Sequence, residues 1–400
     1  MDGKKSSLMV LSDHYLTFVK DQTEGIAPEF ERVDVCVCHN TLAEIADYLP
    51  VQRLKPFRLR SILDLSHLPE NIFVHPCNLP YLPLDLMKKS LGDRLFRAVD
   101  DLIQKKQIEC DLIHAHFLWP NGYAGALLKE KYGIPLVVTA HGYDIYDLPF
   151  RDQEWRDRIV RTLEAADAII TVSRKNEECI RSLGITKQVH VIPNGFRSDL
   201  FYPRDQAECR RTLGLPPDRK ILLAVGNLVE VKGHRYLVEA MAEVVKERQD
   251  VLCVIVGSGP LRGRLERQVR ALGLEEHVRF VGGKPHEEIP IWMNACDVFV
   301  LPSLNEGNPT VMFECLGCGR PFVGSDVGGV REIIISNDYG LVCSSSSSRE
   351  LAEKIIFTLD RSWKPQSIIK YSNQFSGQII SQKIINIYHG SIRRNIDMFE

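Results

Sequence analysis

Thirteen short apolar runs, separated by polar and helix-patterned stretches, constrain this chain more than any other feature. The first set falls at residues 7–11, 33–38, 72–74, 112–116, 136–139, 168–172 and 189–192. The second falls at 221–225, 252–256, 278–281, 298–301, 321–324 and 340–343. Runs this short and this apolar read as strands buried on both faces, the pattern of a parallel sheet covered by helices. The stretches between them are long enough to carry crossover helices. The expected fold class is α/β, with two doubly wound Rossmann-like domains facing across a cleft and ligands at the carboxyl ends of strands.

A segment holding Pro193, Asn194, Gly195, Pro203, Pro216 and Pro217, with the polar run 204–211 inside it, separates the two sets. The expected domains are 1–200 and 201–371, followed by a helical segment over 372–400 with no strand after it. A length of 400 residues suits two domains. Ser347 and Glu350 form a capping box ahead of a late helix.

The net charge of −2 gives no global pull toward nucleic acid. No stretch approaches the roughly 18 apolar residues of a membrane-spanning helix. The amino terminus lacks an apolar signal region. These features lead us to expect a cytoplasmic protein. Eleven cysteines, mostly inside apolar runs, read as buried thiols in a reducing compartment. Cys315-x-x-Cys318 has half the spacing of a zinc site but no second pair, so helix packing is the favoured reading and no metal site is expected.

Chemistry concentrates in residues 301–314. The run 297–301 reads as a buried strand, and a turn rich in Asn, Gly and Pro follows it. Asn308 suits a helix cap and Pro309 the first helical position. Glu306 then lies at the strand end and Glu314 on the helix. Gly307, Asn308, Pro309 and Thr310 lead into the helix start, whose free N–H groups suit an anion. A phosphate flanked by hydroxyl-bearing groups, as in a nucleotide sugar, matches this arrangement. In the same half of the chain, Gly226 and Asn227 end a strand, Gly226 allowing close approach to a ligand. Lys232 opens the helix that follows and can neutralise a diphosphate. The strand-end loops carrying Gly257, Gly259 and Gly282 offer backbone to a nucleobase or simply turn the chain. In the first half, His141 follows a strand end and is placed to reach a hydroxyl or an anion. His114 and His116 share one strand face and read as packing and hydrogen-bonding groups.

Taken together, several motifs resemble the retaining glycosyltransferases called family 4, or group 1, of the two-Rossmann GT-B architecture. They are His114-Ala115-His116, Pro120-Asn121-Gly122, His141-Gly142-Tyr143-Asp144, Pro193-Asn194-Gly195, Lys232-Gly233, Pro302-Ser303, Glu306 with Glu314, and Gly328-Gly329-Val330-Arg331-Glu332. The resemblance implies that Glu314 holds the ribose, Glu306 the transferred sugar and Lys232 the diphosphate, with His141 facing the sugar or acceptor. It implies a UDP- or GDP-linked donor, retention of anomeric configuration, no metal and no cofactor. It also implies that the last helix crosses back onto the first domain.

Three positions depart from the family pattern: Asn227 where arginine is common, Arg197 where an acid usually follows Asn-Gly, and no glycine in the segment 12–18. A sugar-nucleotide epimerase, a phosphorylase and a non-catalytic binding protein of the same fold are the competing readings. The acceptor is expected to be a glycan or a lipid-linked sugar. Arg53, Lys55, Arg58 and Arg60 alternate with apolar residues in 51–63, and Lys88, Lys89, Arg94 and Arg97 follow. Such a surface is ordinarily a solvated face, and it also suits peripheral contact with the inner face of a membrane.

Overall fold

The computed structural model describes residues 5–45, 57–82 and 84–397, with side chains through residue 393. The chain forms two compact units, Met1–Pro193 with Gly377–Glu400, and Asn194–Ser376. All thirteen apolar runs form strands. The first unit holds β1 (Ser7–Ser12), β2 (Arg32–His39), β3 (Ile72–Asn78), β4 (Leu112–His116), β5 (Leu136–Ala140), β6 (Ala168–Thr171) and β7 (Val189–Val191). Its sheet runs in the order β3-β2-β1-β4-β5-β6-β7. The second unit holds β8 (Lys220–Val225), β9 (Val251–Val256), β10 (Val278–Gly282), β11 (Val298–Leu301), β12 (Phe322–Ser325) and β13 (Gly340–Cys343). Its sheet runs β10-β9-β8-β11-β12-β13. Every pairing in both sheets is parallel.

The apolar runs are continuous because both sheet faces are covered. In β1, Met9 and Leu11 pack with Leu95, Val99 and Leu128 on one side. Leu8 and Val10 point the other way, into a layer with Ile380, Ile384 and Tyr388. Those last three lie on the closing helix, Gly377–Asp397, which belongs to the first unit. A buried contact anchors it: the Tyr388 hydroxyl lies 2.6 Å from His114 Nδ1.

Each strand order reverses beside the first strand of its unit, between β1 and β4 and between β8 and β11. At such a switch point the crossovers on either side diverge and leave a crevice at the carboxyl ends of the strands. The loops after β1, β4, β8 and β11 are therefore where side chains can meet a ligand.

Two local expectations are corrected. Ser347 accepts from the Glu350 amide, but Glu350 Oε2 accepts from the Ser344 amide at 2.8 Å, so the reciprocal half of the capping box goes to another residue. Lys232 does not open a helix. It ends a 3₁₀ turn, Glu230–Lys232, and the helix His234–Glu247 begins after Gly233.

Candidate functional site

In the second unit the loop after β8 and the loop after β11 lock together. The Leu304 amide donates to the Val231 carbonyl. Gly233, at φ 63°, lies so close to the second loop that an added Cβ would stand 2.0 Å from the Pro302 carbonyl oxygen. A third turn closes the assembly. Gly328, at φ 52°, would put a Cβ 1.9 Å from the Glu306 carbonyl oxygen, and the Gly329 amide donates to the Gly307 carbonyl. Both glycines combine a left-handed backbone with backbone contact, so no other residue fits without displacing the loop.

This interlocking brings Lys232 and Glu306 together. Lys232 Nζ lies 2.7 Å from Glu306 Oε1, which also accepts from Ser303 Oγ at 2.7 Å. Both side chains retain solvent access, 27% for the lysine and 11% for the glutamate. The ion pair is thus poised at a surface rather than sealed in a core.

Glu314 sits one turn into the helix Thr310–Gly317 and is buried. Its Oε1 is 2.9 Å from His286 Nε2, while its Oε2 has no partner among the described residues. A buried carboxylate oxygen left unbonded costs free energy, which a hydroxyl donor from a ligand offsets. His286, whose ring packs on Phe201 at 5.2 Å, was not singled out from the sequence. The signal was there: a histidine in the turn after β10, in Pro285-His286-Glu287.

Other expected positions divide. Gly226 follows β8 and Gly282 ends β10, and Gly226 is not crowded, since an added Cβ would make only ordinary contacts with Lys232 and His234. Asn227 is exposed. Asn308 does not cap the helix. Its side chain accepts from the Asn194 amide at 2.9 Å and its carbonyl accepts from Asn194 Nδ2, so it ties the loop to the start of the unit. Pro309 takes the cap position, extended at φ −71° and ψ 115°, and Thr310 is the first helical residue. Arg197 pairs with Asp199 at 2.6 Å. Cys315 and Cys318 lie in the core, Cys315 donating to the Arg320 carbonyl, and burial pushes both thiols up. Among the described residues no group of three ligating side chains gathers for a metal.

In the first unit, His114 bonds Thr139 Oγ1 at 2.8 Å as well as Tyr388, a structural role. His116 Nδ1 lies 3.0 Å from His141 Nε2. Burial, and then each ring's histidine neighbours, hold both pKa values well below the usual 6.5, so both rings are neutral at physiological pH. His141 Nδ1 is buried without a partner among the described residues. Asp144 fixes the loop: its carboxylate accepts from the amides of Gly142 at 2.8 Å, His141 at 3.2 Å and Leu118 at 2.8 Å.

The basic stretch is less basic at its surface than the sequence implies. Residues 51–56, with Arg53 and Lys55, lie outside the described residues. Arg58 is buried and donates to the Ala43 carbonyl. Lys89 is shared among Asp85, Asp152 and Glu154. No helix among the described residues is long and apolar enough to cross a membrane.

The family model for glycosyl transferases group 1 matches residues 205–375, and that for Glycosyltransferase Family 4 matches residues 63–200. The chain is 32% identical over 278 residues to a Bacillus subtilis (strain 168) protein assigned by name to teichuronic acid biosynthesis as the glycosyltransferase TuaC, covering 68% of each. Among solved structures it resembles sucrose-phosphate synthase from Thermosynechococcus elongatus. There the TM-score is 0.79, the identity 23%, and 96% of this chain and 98% of that one are covered. It also resembles Anabaena HepE in complex with UDP-glucose, with TM-score 0.72, 22% identity, and coverage of 96% and 100%.

Proposed function

Because this chain belongs to the group 1, family 4 glycosyltransferases, we propose that it moves a sugar from a nucleoside-diphosphate donor to a hydroxyl of a glycan or glycolipid, with retention of anomeric configuration. Its fold is the one shared with sucrose-phosphate synthase and HepE. The observation that carries the reading is the convergence in one unit of Lys232, Glu306 and the unsatisfied oxygen of Glu314.

In this reading Glu314 Oε2 accepts a ribose hydroxyl, and His286 orients the carboxylate by holding the other oxygen. Lys232 leaves Glu306 for the diphosphate. The helix start at Thr310, with Gly307, Asn308 and Pro309 before it, brings backbone N–H groups to the phosphates. Gly226, Asn227 and Gly282 border the nucleotide. Glu306 then takes the hydroxyls of the transferred sugar, and His141 of the first unit contacts the sugar or acceptor as a neutral ring. Lysine and helix dipole together balance the diphosphate charge, so the proposed reaction needs no metal and no cofactor. The HepE complex with UDP-glucose supports a UDP-linked donor, with GDP the alternative.

A thermal-shift screen of UDP, GDP and their sugars is the first test, because a ligand that binds only the folded state stabilises it by mass action. Isothermal titration of the nucleotide so found should then show Glu314→Ala weakened about 10- to 100-fold, the loss of a charged hydrogen bond of ~1.5–3 kcal/mol. Lys232→Ala should weaken it too, with EDTA present throughout and no effect of EDTA on the wild type. Unchanged affinity in both variants puts the donor site elsewhere.

Peripheral membrane contact belongs to the same proposal. Leu84 and Leu86 are 59% and 82% exposed, close in sequence to the Lys88–Arg97 region. The protein should co-sediment with vesicles containing phosphatidylglycerol and release at high salt. Equal behaviour with pure phosphatidylcholine vesicles removes this part.

A further inference from the structure

The carboxyl end of β1 carries a carboxylate that the donor chemistry does not use. Asp13 lies half-buried at the β1–β4 switch point of the first unit. Its Oδ1 accepts from Asn121 Nδ2 at 2.9 Å, and the same Nδ2 donates to the His116 carbonyl at 3.0 Å. No other hydrogen bond or ion pair reaches Asp13, so Oδ2 has no partner among the described residues. Asn121 is fully buried and its Oδ1 has no partner among the described residues. The unbonded His141 Nδ1 belongs to the same cluster.

Aromatic rings border this group. Phe18 and Phe117 lie 4.9 and 4.6 Å from the His141 ring, and His14 lies 5.5 and 5.8 Å from Phe18 and Phe117. Phe117 is held at φ 69°, a backbone conformation that bulky residues avoid and that concentrates at functional sites. Polar atoms without partners beside apolar ring surface are the kind of lining that small-molecule sites use.

The electrostatics of the cluster exclude one class of ligand. Among the described residues no lysine or arginine bonds Asp13, His14, Asn121 or His141. Burial lowers the His14 pKa to about 4, and His116 and His141 are likewise neutral. The buried carboxylate of Asp144 acts on Asp13. A phosphate or uronate entering here meets negative charge and, among the described residues, no cation bonded to the cluster.

Resting on the glycosyl-transfer reading above, we infer that Asp13 binds and orients the acceptor's attacking hydroxyl, and that the rings around it select an uncharged sugar over an anionic one. The sugar's apolar face lies on Phe18 or Phe117, and its hydroxyl donates to Asp13 Oδ2. Desolvation raises the Asp13 pKa from 3.8 to about 7, against the lowering effect of the Asn121 bond. The groups around it are His14 on its own segment, Cys38 on β2, Tyr81 after β3, His116 on β4, and His141 and Asp144 after β5. Arg94, which bears on Cys38, donates to the Pro80 carbonyl. A carboxyl whose pKa is raised in the folded state costs the fold stability progressively as pH rises from the unfolded value of 3.8 to about 7, and the full cost is present above that. Keeping an ionised carboxylate there costs stability, as functional groups commonly do.

The test uses the full chain, the nucleotide sugar found by thermal shift, and two acceptor sets: methyl glycosides of common hexoses, and the same hexoses as 6-phosphates or uronates. Neutral acceptors should exceed anionic ones at least about 10-fold in kcat/KM, and Asp13→Asn should lower acceptor kcat/KM about 10- to 100-fold, the range of a charged hydrogen bond. The wild type should gain acceptor kcat/KM as pH rises through about 7, and the variant should lack that limb. Asp13→Asn should keep wild-type nucleotide affinity and melt higher than wild type at pH 8, by a margin that shrinks as pH falls toward about 4. Anionic acceptors used as well as neutral ones, or a variant keeping both kcat/KM and the pH limb, overturns the inference while transfer itself stands. A wild type that binds no nucleotide sugar overturns the transfer reading and this inference with it.

Discussion

Glu306→Gln should lower turnover about 100-fold or more while leaving affinity for the bare nucleoside diphosphate unchanged or slightly tighter. The glutamate's Oε1 is engaged by Lys232 and Ser303, each at 2.7 Å. Glutamine keeps the size and the serine contact but loses the charge. Lys232 is then released toward the phosphates, so ground-state binding does not suffer. Contacts to the sugar that strengthen as the diphosphate departs are lost, and these act on kcat. His141→Ala should show the same split. Its ring is buried and pairs with His116, so the variant's fold must be checked by melting before its kinetics are read. Since His141 is neutral throughout the assay range, its removal should change the height of the pH–rate profile and leave its shape. Steady-state kinetics with nucleotide titration decide the matter. A His141→Ala variant with full activity, or a Glu306→Gln variant that loses nucleotide affinity and turnover together, contradicts the assignment.

Gly328→Ala should be among the most damaging small substitutions in the second unit. The left-handed backbone at φ 52° costs an alanine ~1 kcal/mol. The added methyl also collides with the Glu306 carbonyl, which cannot move without shifting Gly307 and Asn308. Together these should destabilise the unit by about 2–4 kcal/mol, a fall in Tm of about 5–10 °C. Gly282→Ala is the control, because Gly282 has φ 80° with open space around it. It should lose only the conformational part, about 1 kcal/mol. Gly233→Ala, against the Pro302 carbonyl, should resemble Gly328→Ala. Calorimetry of the three variants tests the ranking, and equal melting of all three contradicts the interlocked-loop account.

These variants mark the line between what residue order shows and what it hides. The strands were legible because a parallel sheet buried on both faces leaves runs of apolar residues with nothing else to explain them. Glu306, Glu314 and Lys232 could be singled out because charged residues in strand-end loops and on the helices after them have few structural uses in a buried α/β unit. Their partners were not. Lys232 and Glu306 are 74 residues apart, and His286 and Glu314 are 28 apart. A hydrogen bond across that separation leaves no local trace. Asn308 shows the same limit: its composition suited a cap, yet Asn194, 114 residues away, offered both a donor and an acceptor, and a buried pair outweighs a local cap.

Charge was the other quantity hidden from sequence. Arg58 and Lys89 read as surface cations, but one is buried and the other is held among three carboxylates. Asp13 was not singled out from the sequence, where its segment 12–18 stood out only for lacking a glycine. Only burial beside Asp144 raised it toward neutrality, because desolvation depends on what surrounds a group in space. The sequence by itself determined the two doubly wound units, their strand ends and the residue types available there. Tertiary structure alone decided which of those residues meet, which stay charged and which atoms remain unpaired for a ligand. Periodicity and apolarity are local properties of the chain, whereas hydrogen-bond partnership and solvation exist only once distant segments pack.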